Sequence, residues 1–203
     1  MIAGAARQET ANPSILLPSL NPKTVSWEAF QRKYLTREDA YKYEWVDGQV
    51  EKTKSAMDPR QFFIQDNLTK LFNRLFFNGK VTGQLIAEGD MFFANNHRRP
   101  DLAYLDAGQI ALMAQGGQTT PQFLIEIIST NDQINLLHKK MRDYRNAGVQ
   151  VVWHILPELE EVHVFTGKLL KKSQVCMGGD LCSAAPVLPD FCLSAKDIFT
   201  VVV

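Results

Sequence analysis

Phe123-Leu124-Ile125-Glu126-Ile127-Ile128 is an apolar run broken by one carboxylate. Its shortness and its isoleucines read as a β-strand buried on both faces. An ionised carboxylate inside such a strand is desolvated, at a cost of several kcal/mol unless it is paired or metal-bound. The plainer alternative is an edge strand whose Glu126 faces water. Downstream, the spacing predicts a helix from about Asn131 to Ala147, closed by Gly148. At about 100° per residue, with Ile134 at zero, Lys140 falls near 240°, inside the arc of Leu136, Leu137, Met141, Tyr144 and Ala147. Lys139, Arg142 and Asp143 fall on the polar side. Lys140 therefore leans toward the core, or else snorkels along the edge of the arc. Gln150 to Leu156 is a second apolar strand, and Leu159 to Phe165 turns back as a hairpin arm.

Upstream, Tyr43 to Glu51 reads as a hairpin around Asp47-Gly48, a pair that tolerates positive φ at both central turn positions. Pro59 to Phe77 is an amphipathic helix, with Ile64, Leu68, Leu71, Phe72 and Leu75 three or four apart and Asn78-Gly79 as its stop. Short strands follow at Gln84 to Ala87, Met91 to Ala94 and Asp101 to Leu105, the last two separated by a turn over Asn95 to Pro100. Alternation of strands and helices places the chain in the α/β or α+β class around a mixed sheet. Residues 1–25 carry turn chemistry without periodicity and read as a flexible tail. Residues 26–203 read as a single domain, with Ser26 as the first helix cap.

The 203 residues suit one domain of ordinary size, and 45% hydrophobic content suffices for a core. With 22 basic and 22 acidic residues the net charge is zero, which excludes a polybasic protein but not a local basic groove. No apolar run is long enough to cross a membrane, and Met1 to Thr10 lacks a secretory signal core, so a cytoplasmic protein is expected. Cys176, Cys182 and Cys192 show no metal or disulfide pattern and read as free thiols.

Three positions then stand out: Glu126, Asp101 at a strand entry after Pro100, and Lys140. Asp101 alone is as readily a turn residue. Together, two acids on neighbouring strands can hold a hard divalent cation through oxygen ligands, leaving room for a phosphate oxygen and a water. A nearby lysine can orient or activate that water and offset charge on phosphorus. That is the chemistry of metal-assisted phosphodiester hydrolysis. A buried Glu126–Lys140 ion pair without function is the structural alternative.

At these residues the chain resembles a known family. Tyr43-Glu44-Trp45-Val46-Asp47-Gly48, Arg99-Pro100-Asp101-Leu102-Ala103, Leu124-Ile125-Glu126-Ile127-Ile128-Ser129, Lys140 with Tyr144, Gly148, Val149 and Trp153, and Leu188-Pro189-Asp190-Phe191 are similar to Uma-type endonucleases of the PD-(D/E)XK restriction-endonuclease-like superfamily. The likeness runs from about residue 26 to 199. It implies an α/β restriction-endonuclease-like core, a central mixed sheet flanked by helices. It implies Asp101 and Glu126 as metal ligands, with the Ile127 carbonyl as a third. It implies Lys140 as the catalytic lysine, moved onto the helix from the usual place, here Ile128. Glu44 matches the early acidic residue that completes the site through a second metal or a water. Gln61 stands where many members carry His, which leaves a substrate role for that helix open.

The expected activity is a Mg²⁺-dependent nuclease, with Mn²⁺ as a substitute, acting on DNA as an endonuclease. The alternative is a catalytically silent nuclease-fold module that binds nucleic acid or protein. Between Lys52 and Arg99 basic residues outnumber acidic ones, and Lys139, Arg142 and Arg145 add a basic face beside Lys140. Such groups give sequence-blind phosphate affinity. A homodimer is expected on analogy with restriction-type folds, and Lys140→Ala is expected to fold normally and be inactive.

Overall fold

The computed structural model describes residues 24–54, 59–128 and 134–201. A six-stranded mixed sheet forms the centre: β7 (Phe123–Ile127) and β8 (Val151–Leu156) lie in the middle, flanked by β6 (Leu102–Leu105) and β3 (Gln84–Ala87) on one side and by β9 (Glu161–Thr166) and β10 (Lys172–Met177) on the other. Only β7 and β8 run parallel. A parallel pair needs a crossover, which helix α4 (Ile134–Asn146) supplies. The start expected for this helix, Asn131 to Gln133, lies outside the described residues, as does most of the expected N-terminal tail.

Strand β7 is buried along its whole length and paired on both edges, so Glu126 is not an edge residue in water. Alternation sorts its side chains. Phe123, Ile125 and Ile127 join one core, under α2 (Pro59–Phe77) and α5 (Ala195–Phe199). Leu124 joins the other, under α4, together with Val152, Met141 and Tyr144. Glu126 shares the Leu124 face. Helix α2 spans the expected residues and buries Ile64, Leu68, Leu71 and Phe72. Gly79 follows it at φ +67°, a conformation that costs glycine nothing.

A smaller sheet holds β2 (Gln49–Lys54), β1 (Tyr41–Val46), β5 (Asn96–Arg98) and β4 (Met91–Phe93), in that order. The β1–β2 turn is the expected Asp47-Gly48, with φ +50° and +75°. Segment Asn95 to Pro100 differs from expectation. It is not a turn between strands but contains β5, paired with β1 and β4, and the reversal falls earlier, at Ala94 with φ +54°. Its polar residues hid the strand, whose burial comes from partners distant in the chain.

Ser26 caps α1 (Trp27–Phe30) by accepting the Ala29 N–H at 3.2 Å. Phe30, Trp27 and Phe92 then enclose the His97 ring of β5. Helix α3 (Ala107–Ala114) and the β11 (Leu181–Ala184)–β12 (Leu188–Ser194) hairpin complete the fold. Cys176, Cys182 and Cys192 are free thiols, two of them buried. No described helix is long and apolar enough to cross a membrane.

Candidate active site

Strand period places Lys42 and Glu44 on one face of β1. Both are buried. The β1–β2 register sets Glu44 directly opposite Glu51, a like-charge pair that is unfavourable by itself. Arg98 of β5 resolves it, donating from Nη1 to Glu44 Oε2 at 2.9 Å and to Glu51 Oε2 at 2.5 Å. Its Nε and Nη2 donate to Asp143 Oδ2 of α4 at 3.0 and 2.7 Å. Arg98 is wholly buried, so its fork ties the small sheet to α4 through three carboxylates. Those carboxylates outweigh burial and raise the Arg98 pKa.

Asp143 was expected on the polar side of α4, but it is 3% exposed, whereas Ile134 of the expected apolar arc is 65% exposed. The buried residues of α4 are Met141, Asp143 and Tyr144, with the Lys140 side chain 12% exposed beside them, because Arg98 and Glu126 recruit polar groups that hydropathy sorts outward.

Glu126 is 3% exposed. Its Oε2 accepts from Lys140 Nζ at 2.9 Å, and its Oε1 accepts from the Tyr144 hydroxyl. Lys140 Nζ also lies 3.7 Å from Glu44 Oε1, and that same oxygen accepts the Arg99 N–H at 2.8 Å. Asp101, just ahead of β6, accepts the Ile127 N–H on Oδ2 at 2.7 Å and Lys42 Nζ on Oδ1 at 3.2 Å. In a strand one residue's N–H and C=O project to the same edge, so the Ile127 carbonyl faces the Asp101 side.

Of the four residues singled out in the sequence, Glu44 and Glu126 meet at the Lys140 ammonium, and Asp101 stands within electrostatic reach of Glu126 and Lys140, bonded to the N–H of Ile127 next to Glu126. Lys42, Arg98, Asp143 and Tyr144 join them. Lys42 was legible in one respect, its position two residues before Glu44 on the same strand face. Asp101 is the most open of the three acids, its side chain 20% exposed against 3% for Glu44 and 4% for Glu126.

Burial pushes the Glu44 carboxyl up, but Lys140, Arg98 and Lys42 outweigh it and hold its pKa at about 2. Burial, aided by Asp101 and Glu44, raises the Glu126 pKa against the opposing pull of Lys140. For Lys140, burial is outweighed by Glu126, Glu44 and Asp101, so its pKa rises and it stays an ammonium. Burial and Glu126 raise the Tyr144 pKa well above its usual value, keeping the phenol a donor.

The oxygen-rich acids suit a hard cation such as Mg²⁺. Among the described residues no three His, Cys, Asp or Glu side chains are arranged to hold a metal by themselves. A Mg²⁺ here would therefore rest on Asp101, Glu126, the Ile127 carbonyl and water, a donor set with few carboxylates that is normal for this ion. All three acids already accept a hydrogen bond on each oxygen, so an ion would displace the Lys42 and Lys140 ammoniums from Asp101 and Glu126; Glu44 fits less well, since its partners are the wholly buried Arg98 guanidinium and the Arg99 backbone N–H.

Lys139, Arg142 and Arg145 do not form one open basic face. Lys139 pairs with Glu51 at 3.2 Å and Arg142 with Asp47 at 3.0 Å, while Arg145 turns to another flank of α4.

A search of solved structures finds a crystal structure described as a putative nuclease from Anabaena variabilis. It is 19% identical, with a TM-score of 0.69 over 88% of this chain and 98% of that one, a likeness of fold. No curated protein matches the chain. A family model described as "putative restriction endonuclease" matches residues 27–196, the whole span that carries the site. The chain belongs to this family, Uma2.

Proposed function

We propose that the chain is a Mg²⁺-dependent nuclease that hydrolyses phosphodiester bonds, with DNA as substrate and an internal cut as product. The observation that carries this reading is Glu126: a buried carboxylate on a central strand, near Asp101 and under Lys140. A fold seeking stability alone gains little from such a group, because apolar residues of similar volume usually serve as well.

Asp101, Glu126 and the Ile127 carbonyl would hold the ion. When bound, Mg²⁺ supplies Lewis-acid stabilisation of charge on the phosphate and lowers the pKa of water. Lys140 is already protonated, so it serves as a hydrogen-bond donor and counter-charge, orienting the attacking water or the phosphate rather than taking a proton. Lys42 offers a second ammonium on the Asp101 side. Glu44 is a positioning residue, holding Lys140 between two acids and fixing the Arg99 backbone. A cut through both strands would call for two copies, and a homodimer on DNA belongs to the proposal. Work on DNA also accords with a cytoplasmic location.

The test is plasmid nicking by the purified chain with Mg²⁺ or Mn²⁺. EDTA, Glu126→Gln and Asp101→Asn are each expected to abolish it. Nicking that persists in Glu126→Gln would contradict the assignment. The second reading, a silent nuclease-fold module, has one observation in its favour: two lysines already satisfy the acids. It expects binding of DNA without a cut under every metal condition.

A further inference from the structure

The helix that carries Lys140 has a second working flank. His138, Met141 and Arg145 recur at helical spacing on the side turned away from Lys140 and Asp143. Beneath them, over β8 and β9, lies a cavity of about 400 Å³. That is within the roughly 300–1,000 Å³ of small-molecule sites. Met141, Leu156 and Phe165 supply apolar wall. The polar lining is all nitrogen: His138, Arg145, His154 and His163, with no carboxylate among the described lining residues.

His154 is the informative member. It sits on β8 at the register position beside Glu126, is 6% exposed, and its Nε2 has no hydrogen-bond partner among the described residues. Its ring rests edge-on against Phe165, centroids 4.9 Å apart. Leaving such a nitrogen buried and unpaired is unfavourable, a cost that a ligand acceptor removes. An imidazole N–H at that position can donate to an acceptor in the cavity. Ion pairs on α4 go to Lys139, Lys140 and Arg142; among the described residues none goes to Arg145. His163 is different, held by Glu161 at 3.0 Å.

We infer that this cavity binds a small organic anion: a phosphate or carboxylate head on a short apolar body. The head accepts from His154 Nε2–H and from Arg145, and the body lies on Met141, Leu156 and Phe165. A metal ion fits less well, since the described lining holds no carboxylate and its histidines are not arranged to hold one.

Calorimetry on the full chain separates the parts of this proposal. Hexyl phosphate and hexanoate share a body and differ in the head; inorganic phosphate and hexanol are the two halves alone. One or both of the amphiphilic anions is expected to bind once per chain with a Kd below about 1 mM, and each half at least about tenfold more weakly. The tighter of the two identifies the head. His154→Phe, of similar size and without the unpaired nitrogen, is expected to keep its thermal midpoint and lose at least about tenfold in affinity; Arg145→Gln reads the same loss independently. Silence of both anions at about 10 mM would overturn the proposal. So would hexanol or phosphate alone binding as tightly, or unchanged affinity in both variants.

Discussion

Lys140 places its ammonium 2.9 Å from Glu126 Oε2 and thereby faces two acids at once, with Glu44 Oε1 at 3.7 Å. One turn further along α4, Tyr144 donates to the other Glu126 oxygen. Helix α4 is thus clamped onto β7 by polar contacts inside an apolar layer. Each partner covers a charge that would otherwise stand alone.

That geometry changes the expectation for Lys140→Ala. Removing the ammonium leaves Glu126 and Glu44 facing each other without it, a loss of about 3–5 kcal/mol for a buried pair. The variant is expected to be inactive and less stable, not normally folded. Urea unfolding at pH 7 checks it, and adding Glu126→Gln to the variant should recover part of the loss. An unchanged urea midpoint in Lys140→Ala would contradict the contacts described.

Arg98→Met should be more severe. It strips the shared donor from Glu44, Glu51 and Asp143 and restores the repulsion built into the β1–β2 register. Arg98→Lys should rescue little, because one ammonium cannot replace a planar fork that serves three carboxylates. Soluble yield and thermal midpoint read both; full rescue by lysine would show that charge alone matters.

The acid limb of stability follows from Glu44. Its folded pKa, about 2, lies below the ordinary 4.5. A depressed acid stabilises above its unfolded value and loses that contribution as pH falls from there through the folded value. The window is therefore pH 4.5 down to 2, and the difference corresponds to roughly 3 kcal/mol. Glu126 has the opposite sign. Its raised pKa favours the fold at low pH, and that contribution is lost as pH rises through the folded value. Glu44→Gln should be less stable at pH 7 and show a shallower fall across the acid window. Unfolding free energy measured from pH 2 to 7 tests this; parallel curves would refute it.

Much of this site could be read from pattern breaks. Glu126 interrupts an apolar run and Lys140 intrudes on an apolar arc; both are expensive placements, and expense draws attention to function. Helix α2 was legible because its apolar residues recur three and four apart, and strand β7 because its apolar run is short and continuous. Arg98 was not, because Asn-Asn-His-Arg-Arg-Pro is polar throughout and looks like a turn. Its burial depends on Glu44 and Glu51, some fifty residues earlier, and on Asp143, equally far on. Asp143 failed for the same reason, since hydropathy cannot foresee a buried partner. Strand β10 escaped because nearly every side chain on it is exposed, leaving only Cys176 to mark an inner face.

The central claim is that Asp101 and Glu126 grip a divalent ion. Calorimetric titration of Mg²⁺ into the wild-type chain and into Glu126→Gln tests it most directly. One ion per chain in the wild type, and a loss of at least about tenfold in affinity in the variant, is the result expected. Equal binding by both chains, or no binding by the wild type where Glu126→Gln is still folded, would contradict it.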